Sequence, residues 1–162
     1  EKTVPARKGA RHVLRVIREL LYHQPAGKGT NLNAALEHLN RTIKRRAVVF
    51  VVSDFQSSGY EDALRIARRR HDLIPIVISD PRELELPNVG LLELVDAETG
   101  EHILVDTSSQ RVRDAFARQA RRAAEDRDTL LRRTDIDSIQ ARTGESFVEP
   151  LTRFFRKRET RR

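Results

Sequence analysis

Two short apolar runs constrain this chain more than any other feature. AVVFVVS (47–53) and DLIPIVIS (72–79) are nearly continuous in apolar residues, many of them β-branched, and each is followed directly by aspartate, Asp54 and Asp80. Such runs read as strands buried on both faces, the pattern of a parallel sheet. Between them, roughly 59–70, Tyr60, Ala63, Leu64 and Ala67 recur at helical spacing. A strand, a crossover helix and a second buried strand make an α/β unit. Pro75 inside the second run lacks a backbone donor and is expected at a sheet edge or a bulge.

The rest of the chain extends the alternation. Residues 11–23 place Val13, Val16, Ile17, Leu20 and Leu21 on one helical face. QPAGKG (24–29) interrupts them, and Thr30 or Asn31 caps a second helix carrying Leu32, Leu36, Leu39 and Ile43. Residues 90–107 read as a hairpin, with strands near 91–95 and 102–106 and a turn at Gly100. A long helix over 109–133 carries Val112, Phe116, Ala120, Ala123 and Leu130 on its inner face. Ile136 and Ile139 mark a last short strand. Ser146 and Glu149 have capping-box spacing ahead of a helix expected to bury Phe147, Leu151, Phe154 and Phe155. Pro150 suits its first turn.

Charge narrows the functional classes. The chain has 162 residues with a net charge of +7, and 31 Lys and Arg face 24 Asp and Glu. Residues 153–162, RFFRKRETRR, hold six bases and one acid, so this frayed-looking tail carries most of the excess. Nucleic-acid binding through an Arg tail is one reading, and a basic helix end complementing its dipole is the simpler one. The absence of Cys excludes disulfides, thiolate zinc sites and a Cys nucleophile. No apolar run approaches the ~20 residues of a membrane helix, and no charged-then-apolar leader opens the chain. A cytoplasmic protein is therefore expected.

In an open parallel sheet, function sits outside the carboxyl ends of the strands. Asp54 and Asp80 occupy two such ends, and the choices for Asp54 are a cap on the next helix, a metal or a phosphoryl group. GKGTN, ahead of the second helix, lacks the glycine spacing of a phosphate loop. A phospho-acceptor reading of Asp54 lacks the lysine at a later strand end. The five histidines are scattered, and no nucleophile elbow is present. Ser108 and Ser109 read as helix caps.

Residues RKGARHVLRVIRELL, GKGTNLNAALEHLNR, RRAVVFVVSDF, DLIPIVISDPRELELP, VDAETGEHILVDTS and FVEPLTRFFRKR, in this order and spacing, resemble one bacterial family nearly end to end. It is the domain of unknown function fifty-eight, whose core is similar to a von Willebrand factor A domain. The resemblance implies a three-layer, Rossmann-like α/β fold with a mainly parallel sheet and an inserted hairpin. It implies a magnesium site in which Thr30 matches the family's loop threonine and Asp54 its strand-end aspartate. Magnesium suits such oxygen ligands and leaves a position open to a partner's carboxylate. The Asp-x-Ser-x-Ser loop of that site is not found here. The chain opens without Met on EKTVPARKG, which resembles the end of the family's third strand, so a domain lacking its first strands is expected. On this reading Thr30 and Asp54 alone hold magnesium weakly or not at all.

The resemblance implies a non-catalytic interaction domain, an adaptor for a MoxR-type AAA+ ATPase, with docking around Thr30, Asp54, Phe55 and Asp80. An open edge on strand 47–53 is expected to pair with a second copy. The alternatives are nucleic-acid binding through Arg-rich helices and tail, and a hydrolase using Asp54 and Asp80.

Overall fold

A computed structural model describes residues 2–24, 29–95 and 100–160. The expected loop at 25–28 and hairpin turn at 96–99 lie outside the described residues. The chain divides into two compact units, Glu1–Thr30 with Val95–Glu101, and Asn31–Leu94 with His102–Arg162.

The first unit is built on helix α1 (Ala10–Tyr22). Gly9 precedes it at φ 101°, a conformation that favours glycine, and no side chain caps the helix. The Lys2 ammonium donates to the Glu19 carboxylate, and this bond holds Glu19 below the usual carboxylate range. The expected apolar face forms, but none of its side chains is buried, and Leu20 and Leu21 are 78% and 74% exposed.

The second unit holds α2 (Leu32–Thr42), β1 (Val48–Ser53), α3 (Glu61–Arg70), β2 (Asp72–Ser79), α4 (Gln110–Arg133), β5 (Ile139–Arg142) and α5 (Val148–Glu159). Strands β3 (Leu91–Val95) and β4 (His102–Asp106) form a separate two-stranded sheet. Asn31, not Thr30, takes the cap of α2, its side-chain oxygen accepting from the Ala34 N–H at 2.9 Å. β1, β2 and β5 form one parallel sheet in the order β1-β2-β5, with Val51 opposite Pro75 and Ile76 opposite Ile139.

Period-two alternation and this register give the sheet two distinct faces. Val49, Val51, Leu73 and Val77 pack into the main core with Leu36, Leu64, Ala67, Leu131 and Ile136, from α2, α3, the end of α4 and the segment after it. On the other face α5 lies against Phe50, whose ring meets Phe155 edge-on at 6.3 Å between centroids. The Arg158 guanidinium of α5 donates to Asp72 at 2.5 Å and sits 5.4 Å from the Phe154 ring centre. Helices thus cover both faces of a mainly parallel sheet, an α/β architecture.

Several expectations are corrected. β1 is not buried on both faces, for Val48, Phe50 and Val52 are 58%, 47% and 58% exposed. An apolar composition alone does not separate a strand covered on one side from one covered on two. Pro75 lies in the central strand rather than at an edge. The ladder to β5 begins one residue later, at Ile76, so the missing donor falls outside it. The capping box of the last helix does not form, because the helix starts one residue later than the box requires. Phe147 occupies the cap position, and Glu149 pairs with Arg153 at 2.7 Å. Phe147 and Phe155 remain exposed, while Leu151 and Phe154 are half-buried. The basic tail is not frayed through residue 159, since α5 carries it and Arg158 is engaged with Asp72.

Candidate functional site

Asp54 follows the last residue of β1 and is exposed, as the sheet-edge reading requires. One oxygen accepts from the Gln56 N–H at 3.2 Å and from the Ser53 hydroxyl at 3.4 Å, so the carboxylate braces its own turn. Ser53 in turn accepts from the Phe55 N–H at 3.0 Å. Phe55 has φ 59°, a left-handed conformation that costs a bulky residue about 1–3 kcal/mol. Burial offsets that cost. The side chain is 4% exposed, and its ring meets Tyr60 at 5.8 Å between centroids. The Tyr60 hydroxyl donates to the Phe55 carbonyl at 3.5 Å, and burial raises the Tyr60 pKa. The reversed backbone at Phe55 buries the ring and leaves Asp54 and Gln56 on the surface.

Asp80 plays a different part. One oxygen accepts from the Arg82 N–H at 2.8 Å and the other from the Thr143 hydroxyl at 2.7 Å. The Thr143 bond is the main reason its pKa is lowered, with the Arg82 bond second. Because Thr143 follows β5, Asp80 latches the carboxyl end of β2 to that of β5. Both oxygens are committed to structure. Thr30 belongs to the first compact unit, and Asp54, Phe55 and Asp80 belong to the second.

A groove of about 600 Å³ opens at the carboxyl edge of β1 and β2, walled by α4. Apolar side chains form its floor, chiefly Phe55, Ile78, Leu84, Phe116 and Leu130. Asp54, Glu61, Glu83 and Asp126 supply four carboxylates along it. Arg127, its cation, lies 3.0 Å from the Asp128 carboxylate. Gln56 donates to Glu83 at 3.3 Å, tying the turn after β1 to the turn after β2.

Asp54 and Phe55 are legible in the sequence, whereas the α4 wall and the carboxylates of Glu61, Glu83 and Asp126 are not. The available signal was the run of small residues Ala120, Ala123 and Ala124, of which the helical spacing assigns Ala120 and Ala123 to the inner face. Ala123 is in fact exposed. Ser109 does occupy the α4 cap position, without a side-chain bond, while Ser108 donates to Asp106.

Asp54 has one oxygen already engaged, and among the described residues no three His, Cys, Asp or Glu side chains gather as metal ligands.

Comparison with known proteins gives the family but no activity. Uncharacterised proteins Rv1480 of Mycobacterium tuberculosis and Mb1516 of Mycobacterium bovis are each 32% identical over 160 residues, covering 96% of this chain and 50% of theirs. The chain thus spans about half the length of these relatives. The uncharacterised Mycobacterium avium protein MAV169 is 29% identical over 160 residues, 96% of this chain and 93% of its own length. No solved structure matches. The model of the family described as "Protein of unknown function DUF58" matches residues 1–126, and the chain belongs to that family.

Proposed function

We propose that this chain is part of a non-catalytic protein-interaction domain that receives its partner at the carboxyl edge of the parallel sheet, around Asp54 and Phe55. The observation that carries this reading is the open groove at that edge, with Asp54 exposed beside it. A groove with an apolar floor and a few oriented polar groups suits binding. The commitment of both Asp80 oxygens to structural bonds argues against a two-aspartate hydrolase. A MoxR-type AAA+ ATPase is the proposed partner, with this protein as adaptor. Magnesium enters the reading only for a longer protein that supplies the Asp-x-Ser-x-Ser loop, where Thr30 and Asp54 would add their oxygens.

The test is binding of a MoxR-type ATPase from the same genome to the immobilised chain, measured with magnesium and with chelator. Binding is expected in both conditions, and Asp54→Lys is expected to weaken it about tenfold. Equal affinity of the Asp54→Lys variant, or no binding at all, overturns the reading.

A further inference from the structure

The groove combines two features that together restrict what fits it. The first is charge. In a chain of net charge +7, this groove is lined by four carboxylates, and its arginine is already paired with Asp128. Filling it with an apolar or anionic segment would leave those carboxylates facing low-dielectric material without a compensating positive charge. A cationic segment compensates them. The second feature is shape. The α4 wall presents Ala120, Ala123 and Ala124 in a groove-facing patch with Phe116 and Leu130 beyond its ends. Small side chains at i, i+3 and i+4 let a second helix approach to the short end of the ~8–10 Å interaxial range. The free volume, about 600 Å³, matches one apolar helix face rather than a whole folded domain.

We propose that the groove docks a cationic amphipathic helix of a partner protein, laid along α4 with its apolar face on the floor and its Lys or Arg side chains reaching Glu83 and Asp126. Long basic side chains suit this arrangement, because their aliphatic stems lie on apolar surface while their charged ends meet the rim. Helix-in-groove recognition is a recurring mode, with anchors at helical spacing. The inference rests on the carboxyl-edge docking proposed above and names the chemistry of the docked element.

The experiment uses the whole chain and three synthetic 18-residue peptides: a Leu/Lys amphipathic helix, its Leu/Glu counterpart, and a scrambled Leu/Lys sequence of the same composition. Amide chemical shifts are followed during titration. The ordered Leu/Lys helix is expected to perturb Gln56, Ala120 and Ala123, with the other two peptides at least about tenfold weaker. The exposed charge reversals Glu83→Lys and Asp126→Lys, combined, are expected to weaken binding by a further tenfold or more. Ala123→Trp, which fills the groove without changing charge, is expected to abolish binding while the melting temperature stays within a few degrees. Equal binding of ordered and scrambled peptides, or perturbations confined to other surfaces, overturns the proposal. So do perturbations at these residues that grow with protein concentration alone, which assign the groove to a second copy. ATPase binding that is lost in Asp54→Lys but unchanged in Ala123→Trp and in the double reversal overturns this inference while leaving the docking reading standing.

Discussion

At the scale of single residues, the least expected side chain is His71. It closes α3, is 1% exposed, and neither ring nitrogen has a hydrogen-bond partner among the described residues. A buried polar group without a partner is a net cost. His71→Leu is expected to raise the unfolding free energy by about 1 kcal/mol, read as a higher urea midpoint at constant slope. A fall of similar size would mean that the ring makes bonds the protein needs. Asp80 carries the opposite kind of information. Its carboxylate is held below the ordinary range, so the folded state favours the charged form. The resulting stability is present above the unfolded value of about 3.9 and is lost as the pH falls through the lower native value. Asp80→Asn should therefore be less stable than the parent at pH 7, and the gap should close in strong acid. A gap that stays unchanged as the carboxylate is protonated in strong acid would refute the linkage. Neither role could be seen in the sequence. His71 follows three arginines at a helix end, a context that gives no sign of burial, and Thr143 stands too far along the chain to be paired with Asp80 by spacing.

At the scale of elements, periodicity was a good guide to existence and a poor one to exposure. The helical spacing of Tyr60, Ala63, Leu64 and Ala67 correctly placed the buried side of α3. The composition of 47–53 correctly gave β1 but not its one-sided burial. The same spacing rules correctly gave α1 its apolar face, yet nothing in that helix is buried. Amphipathicity states that a face needs cover and is silent on what supplies it. Among the described residues β1 is paired only with β2, so its outer edge offers unpaired backbone groups beside an apolar row. No proline or charge interrupts residues 48–53. Such an edge is prone to pair with other chains. Val52→Lys is expected to slow heat-induced aggregation several-fold, measured by light scattering, with little change in melting temperature. Unchanged aggregation would place the vulnerable segment elsewhere. The left-handed turn at Phe55 escaped the sequence reading for a simple reason. Left-handed backbone is anticipated at glycine or asparagine, and here burial of an aromatic ring holds it instead.

At the scale of the molecule, the α/β class followed from the two apolar runs and the helix between them, because few topologies satisfy that order. The candidate site was legible only where it lies on strand ends. Its other wall comes from α4, more than fifty residues after Asp54, and its acidic rim comes from the turns after β1 and β2 and from helices α3 and α4, whose carboxylates look like ordinary solvated charge. Most of the +7 charge lies in the C-terminal bases, and one of them, Arg158, serves the fold by holding α5 to β2.

The latch between Asp80 and Thr143 spans 63 residues of chain. β2 and β5 are therefore brought together only after the hairpin and the whole of α4 have been made. During synthesis, at roughly 5–20 residues per second, the β5-facing side of β2 stays open for several seconds after β1 and β2 have emerged. Loop closure of this length also favours late pairing on refolding. The nascent chain passes through an interval in which its central strand is sealed on one side only.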